Sequence, residues 1–444
     1  MRSDRARTTT EMCSPIVLFS AILFLCVSSY AAPQGPAASQ YTGPGSCASS
    51  SCHGAIQPKT ETDVQQNEYS TWVVQDKHSK AYAVLSNAQS KRIARNLKLS
   101  EPAERSAKCL ACHALDVPAS RRARTFELDD GVSCESCHGP ASAWLGPHTS
   151  KNWTHEQSVR LGMYDTKELV KRSELCLSCH LGTAEKAVDH EMIAAGHPDL
   201  AFELDSYTAV MPRHWKPEKD PWASVRGWSV GQAVQLREGL RQLDRRARSG
   251  NWPEYAELDC FACHHALTKP ADSWRQQTGY PSRKPGTPPW NNSRIAVLRH
   301  IVRDADPQLA QQLDGEMAKV AASMERLSPA REAAGQTASS AGGIANRAVE
   351  LLASRKHGQA SALRLLGEIS ADADAISNGG ERSAEQAVMA ADALYLACSR
   401  NGKLANDAEL KAAIDAMFQQ LENPSSYNPQ RFREQLGKIK SHLP

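Results

Sequence analysis

The sequence predicts a mainly α-helical protein in which a motif-bearing region with little strand is followed by an all-helical bundle. Three observations carry this expectation. Strand patterns are scarce along the 444 residues, while apolar residues recur at helical intervals in one long stretch before residue 250 and in six alanine-rich segments after residue 300. Five short cysteine and histidine motifs punctuate the first part, and a proline-rich stretch, Pro281 to Pro289, separates the two. Hydrophobic residues make up 41% and charged residues 23%, which excludes collagen-like and disordered classes.

The amino-terminal residues read as a targeting segment. Arg2, Arg5 and Arg7 precede an apolar run from Pro15 to Val27, and small residues follow at Ser28, Ser29, Ala31 and Ala32, the order of a secretory signal over residues 1–32. The run is shorter than the roughly 20 residues that span a bilayer, which favours export over anchoring. Bulky Leu25 before Cys26 argues against lipidation. The expected location is the periplasm or another exported compartment. Residues 33–46, rich in Pro, Gly, Ser and Ala, read as a lead-in to a domain over residues 33–280.

Cysteine arithmetic identifies the chemistry. Of thirteen cysteines, Cys13 and Cys26 fall in the signal, ten form five pairs that are each followed by histidine, and Cys398 is left over. The motifs are Cys47-Ala-Ser-Ser-Ser-Cys52-His53, Cys109-Leu-Ala-Cys112-His113, Cys134-Glu-Ser-Cys137-His138, Cys176-Leu-Ser-Cys179-His180 and Cys260-Phe-Ala-Cys263-His264. In a helical turn residues three apart share a face, so two sulfurs can straddle a porphyrin edge while the next residue points beneath it. The first motif must absorb two extra residues as a bulge. Zinc would gather four such ligands, for instance Cys109, Cys112, Cys134 and Cys137, but leaves the recurrent histidine unexplained. Five covalently attached haem c groups are expected, held by Cys47, Cys52, Cys109, Cys112, Cys134, Cys137, Cys176, Cys179, Cys260 and Cys263 and ligated by His53, His113, His138, His180 and His264. The formal net charge is +3. Loss of the signal and the gain of ten propionates would leave the assembled protein acidic, and no basic patch suggests nucleic acid.

A second ligand must come from elsewhere in the chain. Ten histidines stand outside the motifs and the signal, twice the number required for five irons: His78, His148, His155, His190, His197, His214, His265, His300, His357 and His442. Context favours His78, His148, His190, His197 and His214. His78 follows Trp72 in a helical pattern, and His148 follows Gly139-Pro140, with His155 its close competitor. His190 and His197 are about two helical turns apart and could share a side, although Gly196 and Pro198 end the helix near the second. His214 sits between Arg213 and Trp215 after Pro212. His265, adjacent to a motif histidine, is a poor ligand for the same iron. Met163, Met192 and Met211 read as packing residues.

The stretch Trp72 to His78, the run Cys134 to Pro140, and Ala195-Gly196-His197-Pro198 with Phe202-Glu203 resemble the multihaem cytochromes related to the tetrahaem cytochrome c-554 of ammonia oxidisers. The resemblance covers roughly residues 41 to 270. It implies second ligands at His78 and His197 and a periplasmic electron carrier, in a group that includes relatives of enzymes acting on nitrogen oxides or hydroxylamine. The fifth motif and the long carboxy-terminal extension depart from that pattern.

Beyond the fourth motif, Val230, Ala233, Leu236, Leu240 and Leu243 predict a helix over Arg226 to Arg248 that supports the last haem. After a linker at 281–290, residues 291–444 are expected to form a bundle with helices around 307–325, 329–354, 358–370, 382–400, 406–422 and 429–440, broken at Gly379-Gly380 and Pro424. Ala384, Val388, Ala391, Tyr395 and Cys398 read as a core stripe with a buried free thiol, and His300 as a solvent-facing or capping residue. The function expected is an electron relay between a redox protein donor and acceptor, with a membrane-associated quinol-oxidising protein among the candidate donors. The alternative is an enzyme oxidising or reducing small nitrogen compounds at one open-faced iron.

Overall fold

The computed structural model describes residues 39–62, 64–260, 263–264, 288–402, 404–423 and 427–443. The signal, residues 281–287 of the linker, His265 and Pro424 lie outside the described residues. Among the described residues no strand forms, only isolated bridges between Tyr41 and Arg122 and between Leu258 and Trp290. The protein is mainly α, as expected.

Short helices carry the first part: α1 (Glu68–Gln75), α2 (Ala88–Asn96), α3 (Ala107–His113), α4 (Cys134–His138), α5 (His155–Arg160), α6 (Leu169–His180), α7 (His190–Ala194) and α8 (Leu204–Val210). Side chains cap several of them, satisfying amides that have no partner within the helix. Asn87 accepts from the Ser90 amide before α2, Glu168 from Val170 and Lys171 before α6, and Asp189 from Met192 before α7. Helix α4 stops at Gly139, whose φ of 74° suits glycine and whose missing Cβ would meet the Gly162 carbonyl oxygen at 3.0 Å.

Helix α9 (Ala223–Arg248) begins three residues before the expected start and is enclosed along most of its length. Val225, Trp228, Val230, Leu236, Leu240 and Leu243 are fully buried. Arg237 is buried too; its charge is met by Glu238 at 2.8 Å and by Glu174 of the motif-bearing α6. A long charged side chain is tolerated inside only when it is paired in this way.

The remaining helices are α10 (Ser293–Ala296), α11 (Leu298–Ala305), α12 (Pro307–Met324), α13 (Arg331–Ser354), α14 (Gln359–Ala371), α15 (Ala373–Asn378), α16 (Glu381–Asn401), α17 (Asp407–Leu421) and α18 (Pro429–His442). The six expected segments correspond to α12, α13, α14, α16, α17 and α18. Along α13, Ala334, Ala338, Ala341, Ala345 and Ala348 form a buried seam of small residues, and α13 packs on α9 more extensively than any other pair of helices. Small side chains let two helix axes approach closely. One apolar core therefore runs from Leu177 in α6 through α9 to Ile439 in α18. Cys398 is a buried free thiol at the end of the expected stripe.

His300 requires a correction. It is only 5% exposed, and its Nε2 lies 2.9 Å from Asp372 Oδ2. Helix α11 turns Leu298, Ile301 and Val302 into the core, and Asp372 at the junction of α14 and α15 supplies the partner that lets the ring be buried.

Candidate functional site

All five motifs bend back on themselves. In the fifth, the His264 amide donates to the Cys260 carbonyl at 2.8 Å, the link that an α-helix makes between residues four apart. Motifs two, three and four lie within α3, α4 and α6, where the same register places the histidine beneath the sulfurs. The first motif makes the same closure despite its extra residues. His53 N donates to Cys47 O at 3.2 Å, and the Cys52 and Gly54 amides turn back on Ser49 O at 2.8 and 2.9 Å. The expected bulge is thus a tight turn around Ser49.

Four motif histidines face a histidine from elsewhere. Ring centroids are 6.1 Å apart for His53 and His148, 6.2 Å for His78 and His180, 6.4 Å for His113 and His197, and 6.1 Å for His190 and His264. His190 and His197 do not share a side. Helix α7 ends at Ala194, and the chain turns at Gly196, whose φ is 113°. Asn96 and Gln89 of α2 hold this turn through the Ala195 and Gly196 carbonyls at 3.0 and 3.2 Å, aiming His197 at α3. His190, at the start of α7, faces the fifth motif, and its amide donates to Glu254 Oε1 at 2.9 Å. His78 lies just beyond α1 in a 3-10 turn, Lys77–Lys80.

Five of these eight histidines have a ring tether at Nδ1. Nδ1 of His113, His148 and His197 lies 2.9, 3.1 and 2.7 Å from the carbonyl oxygens of Ala81, Trp144 and Pro198. A carbonyl only accepts, so Nδ1 carries the proton and the Nε2 lone pair is left for a metal. Carboxylates play the same part for His53 (Glu68, 2.9 Å) and His78 (Asp76, 2.9 Å). These hydrogen bonds raise the pKa of His53 and His78 above the ordinary histidine value. By contrast, Nε2 is the nitrogen engaged in His155 (Asp165, 2.8 Å), His300 and His357 (Ser229, 3.0 Å). His155 is thereby set apart from its competitor His148.

His138 is arranged differently. Burial pulls it down to about 4, with His214, His53 and His155 adding to the effect in that order. The His214 ring meets Trp215 edge-on at 5.0 Å, with Nδ1 at 3.3 Å from the Pro212 carbonyl. Burial also draws His180 down to about 4, with His78 contributing. Both rings are neutral, as metal ligation requires.

The sulfurs set the order of the motifs. Cys134 acts on Cys47 and Cys112 on Cys179, and these interactions hold Cys47 and Cys179 below the usual thiol range. Burial, with Cys176 and Cys179 nearby, pushes Cys137 up to about 12. Motif one thus adjoins three, two adjoins four, and three lies near four. Among the described residues, no group of three or more His, Cys, Asp or Glu converges as a metal site. Eight histidines meet in four pairs, and each pair could hold one metal ion between its two rings.

Sequence reasoning missed the tethering groups and Glu135. That side chain, inside the third motif, is only 2% exposed and accepts from the amides of Thr42 (2.9 Å), Gly43 (2.7 Å) and Ala141 (2.7 Å). The spacing of Asp76 and His78 is a readable signal for one tether, and Trp144 and Pro198 lie close in sequence to His148 and His197, whereas Glu68 and Ala81 come from separate segments.

Residues 46–139 match the family model of cytochrome c554 and c-prime. The cytochrome c554-like segment spans motifs one to three and includes His78. No curated protein and no solved structure matches the chain. Among the described residues, no helix is long and apolar enough to cross a membrane.

Proposed function

We propose that this chain carries five covalently attached haem c groups and relays electrons between redox proteins in an exported compartment. The observation that carries the reading is the set of four opposed histidine pairs. A metal about 2 Å from each facing Nε2 would hold two ring centroids roughly 6 Å apart, and the four separations are 6.1 to 6.4 Å. When bound, each haem supplies an iron that cycles between ferric and ferrous and a conjugated edge for electron exchange. The chain anchors each porphyrin through its two motif cysteines. His148, His197, His78 and His190 would complete the irons of His53, His113, His180 and His264, with Nδ1 tethers fixing the rings of His53, His78, His113, His148 and His197. His214 is the candidate second ligand opposite His138. The sulfur contacts give a spatial order of motifs one, three, four and two, with the fifth reached past the loop after His197. Redox proteins are the proposed donor and acceptor, a membrane-associated quinol-oxidising protein among the donors.

A second reading rests on His138. Its iron is the one for which no facing ring stands at the separation of the other four among the described residues, and an iron open there would suit oxidation or reduction of a small nitrogen compound. The deciding measurement on the exported holoprotein combines denaturing mass, for five haem additions, with electron paramagnetic resonance and cyanide binding. Five low-spin centres that ignore cyanide support the relay. One high-spin, cyanide-binding centre, together with turnover of nitrite or hydroxylamine, selects the enzyme. Zinc in place of haem refutes both.

A further inference from the structure

Beside the fifth motif lies a cleft built by both parts of the chain. Its lining includes Asp199, Arg246, Arg294, Arg382, Glu385 and Gln386, and about 560 Å³ of empty space lies within it and its mouth. Two of the three arginines already have carboxylate partners: Arg246 Nη1 is 2.6 Å from Glu257 Oε1, and Arg382 pairs with Asp199. The third has none of this kind. Arg294 Nη1 is sealed from solvent and has no hydrogen-bond partner.

A buried guanidinium nitrogen without a partner is costly, because desolvation penalises the charge and the unmet N–H adds to it. Burial lowers the Arg294 pKa; Glu257 and Asp199 act against that shift, while Arg382 and Arg246 reinforce it. Glu385, the remaining carboxylate of the lining, is pushed up to about 8 by burial and by Glu381 and Asp199, so it is largely neutral at pH 7. Arg294 Nη1 is therefore a donor in the cleft wall left for an added acceptor oxygen.

The fifth motif adjoins the cleft. Arg382 Nη1 donates to the Ala256 carbonyl at 3.2 Å, four residues before Cys260, and its charge acts on the Cys260 thiol together with those of Asp199, Asp259 and Glu381. Asn291 N donates to Glu257 O at 2.9 Å, which ties the segment leading to Arg294 to the one entering the motif.

We propose that Arg294, flanked by Arg246 and Arg382, forms a binding site for one carboxylate or small oxyanion beside the fifth motif, filled by a propionate of the haem held there. The inference rests on the haem reading above. It gives the helical extension a role in the redox chemistry, since Arg294 and Arg382 come from the extension and would set the potential of a haem anchored in the other part. A cation beside a propionate favours the reduced haem, so its removal lowers the reduction potential.

The test uses the purified holoprotein, R294Q, R294K and a second route to the same perturbation, G239A. A Cβ on Gly239 would lie 2.7 Å from Arg294 Cδ, displacing the guanidinium while leaving its charge. Haem content by mass comes first, and fewer than five haems in the unaltered protein counts against the haem reading itself. With five present, redox titration in anion-free buffer should show one midpoint falling in R294Q by about tenfold in its one-electron equilibrium, about 59 mV. G239A should move the same midpoint by less, and R294K should restore it. Sulfate is then titrated calorimetrically. One sulfate per unaltered chain, lost in R294Q, with midpoints unmoved in anion-free buffer, assigns the site to a free oxyanion instead of a propionate. Unmoved midpoints in both R294Q and G239A without sulfate binding overturn the proposal. If R294Q fails to assemble, G239A alone distinguishes the same outcomes.

Discussion

The two parts of the molecule are stabilised by different means. From α9 onward, side chains bury one another in a continuous core of leucine, alanine, isoleucine and valine. Around motifs one to three the apolar interior is a small separate cluster of Leu85, Ala94, Ala103, Cys109, Leu110 and Ala114, and the chain is otherwise held by polar tethers. Glu135, Asp76 and Glu68 do there what leucines do in the bundle. A region with so little apolar burial cannot by itself offset the entropy of ordering its chain. On the proposed reading, the first region would take much of its interior from the haems its motifs hold, whereas the second buries its own side chains.

Removing those groups should have the largest effect. With all ten motif cysteines replaced by serine, residues 41 to about 165 should become protease-sensitive while a helical fragment beginning near α6 survives. Limited proteolysis with mass mapping reads this directly, and a resistant first region would break the comparison. Leu240→Ala in α9 should cost about 2–5 kcal/mol, the range for truncating a fully buried leucine. Because α9 sits between α6 and α13, calorimetry of the holoprotein should show the loss in one transition; two transitions moving separately would mean that the core is divided there. Glu135→Gln should be milder, about 1.5–3 kcal/mol for weakening a carboxylate that accepts from three amides. The loss should appear as faster amide exchange at Thr42, Gly43 and Ala141 with the bundle unchanged.

The smallest effect concerns pH. Glu385 has a folded-state pKa of about 8, above the ordinary carboxylate value, so the folded protein retains a proton that the unfolded chain releases earlier. Its stabilising share is complete below the ordinary glutamate range and is lost as pH rises through 8. Denaturant midpoints should fall between pH 5 and 9 in the unaltered protein, and Glu385→Gln should flatten the slope; an unchanged slope would show that the cleft holds Glu385 ionised.

Much of this was legible in the sequence because it is written locally. Helices α12 to α14 and α16 to α18 follow from apolar spacing and from breaks such as Gly379-Gly380, and the motifs follow from adjacent cysteines and histidines. Pairing was not legible. His190 and His197 lie seven residues apart yet face different motifs, because the turn at Gly196 and its hold by α2 depend on residues a hundred positions away. Choosing His148 over His155 needed the knowledge of which ring nitrogen was already engaged. His300 looked exposed because nothing near it in sequence announces Asp372. The continuity of the core across α9 was hidden for the same reason: its partner, the alanine seam of α13, follows some ninety residues later.

The histidine tethers have a further consequence. A carboxylate draws the Nδ1 proton more strongly than a carbonyl does, leaving more imidazolate character on the nitrogen that faces the metal. His53 leans on Glu68 and His78 on Asp76, whereas His113, His148 and His197 lean on carbonyls. If irons occupy the four pairs, those ligated by His53 and by His78 receive the most electron density and become the hardest to reduce, while the iron between His113 and His197 is easier. Motifs one and four would then lie uphill of motif two, so that the choice of hydrogen-bond acceptor behind each ring would give the array a downhill direction toward the motif on α3.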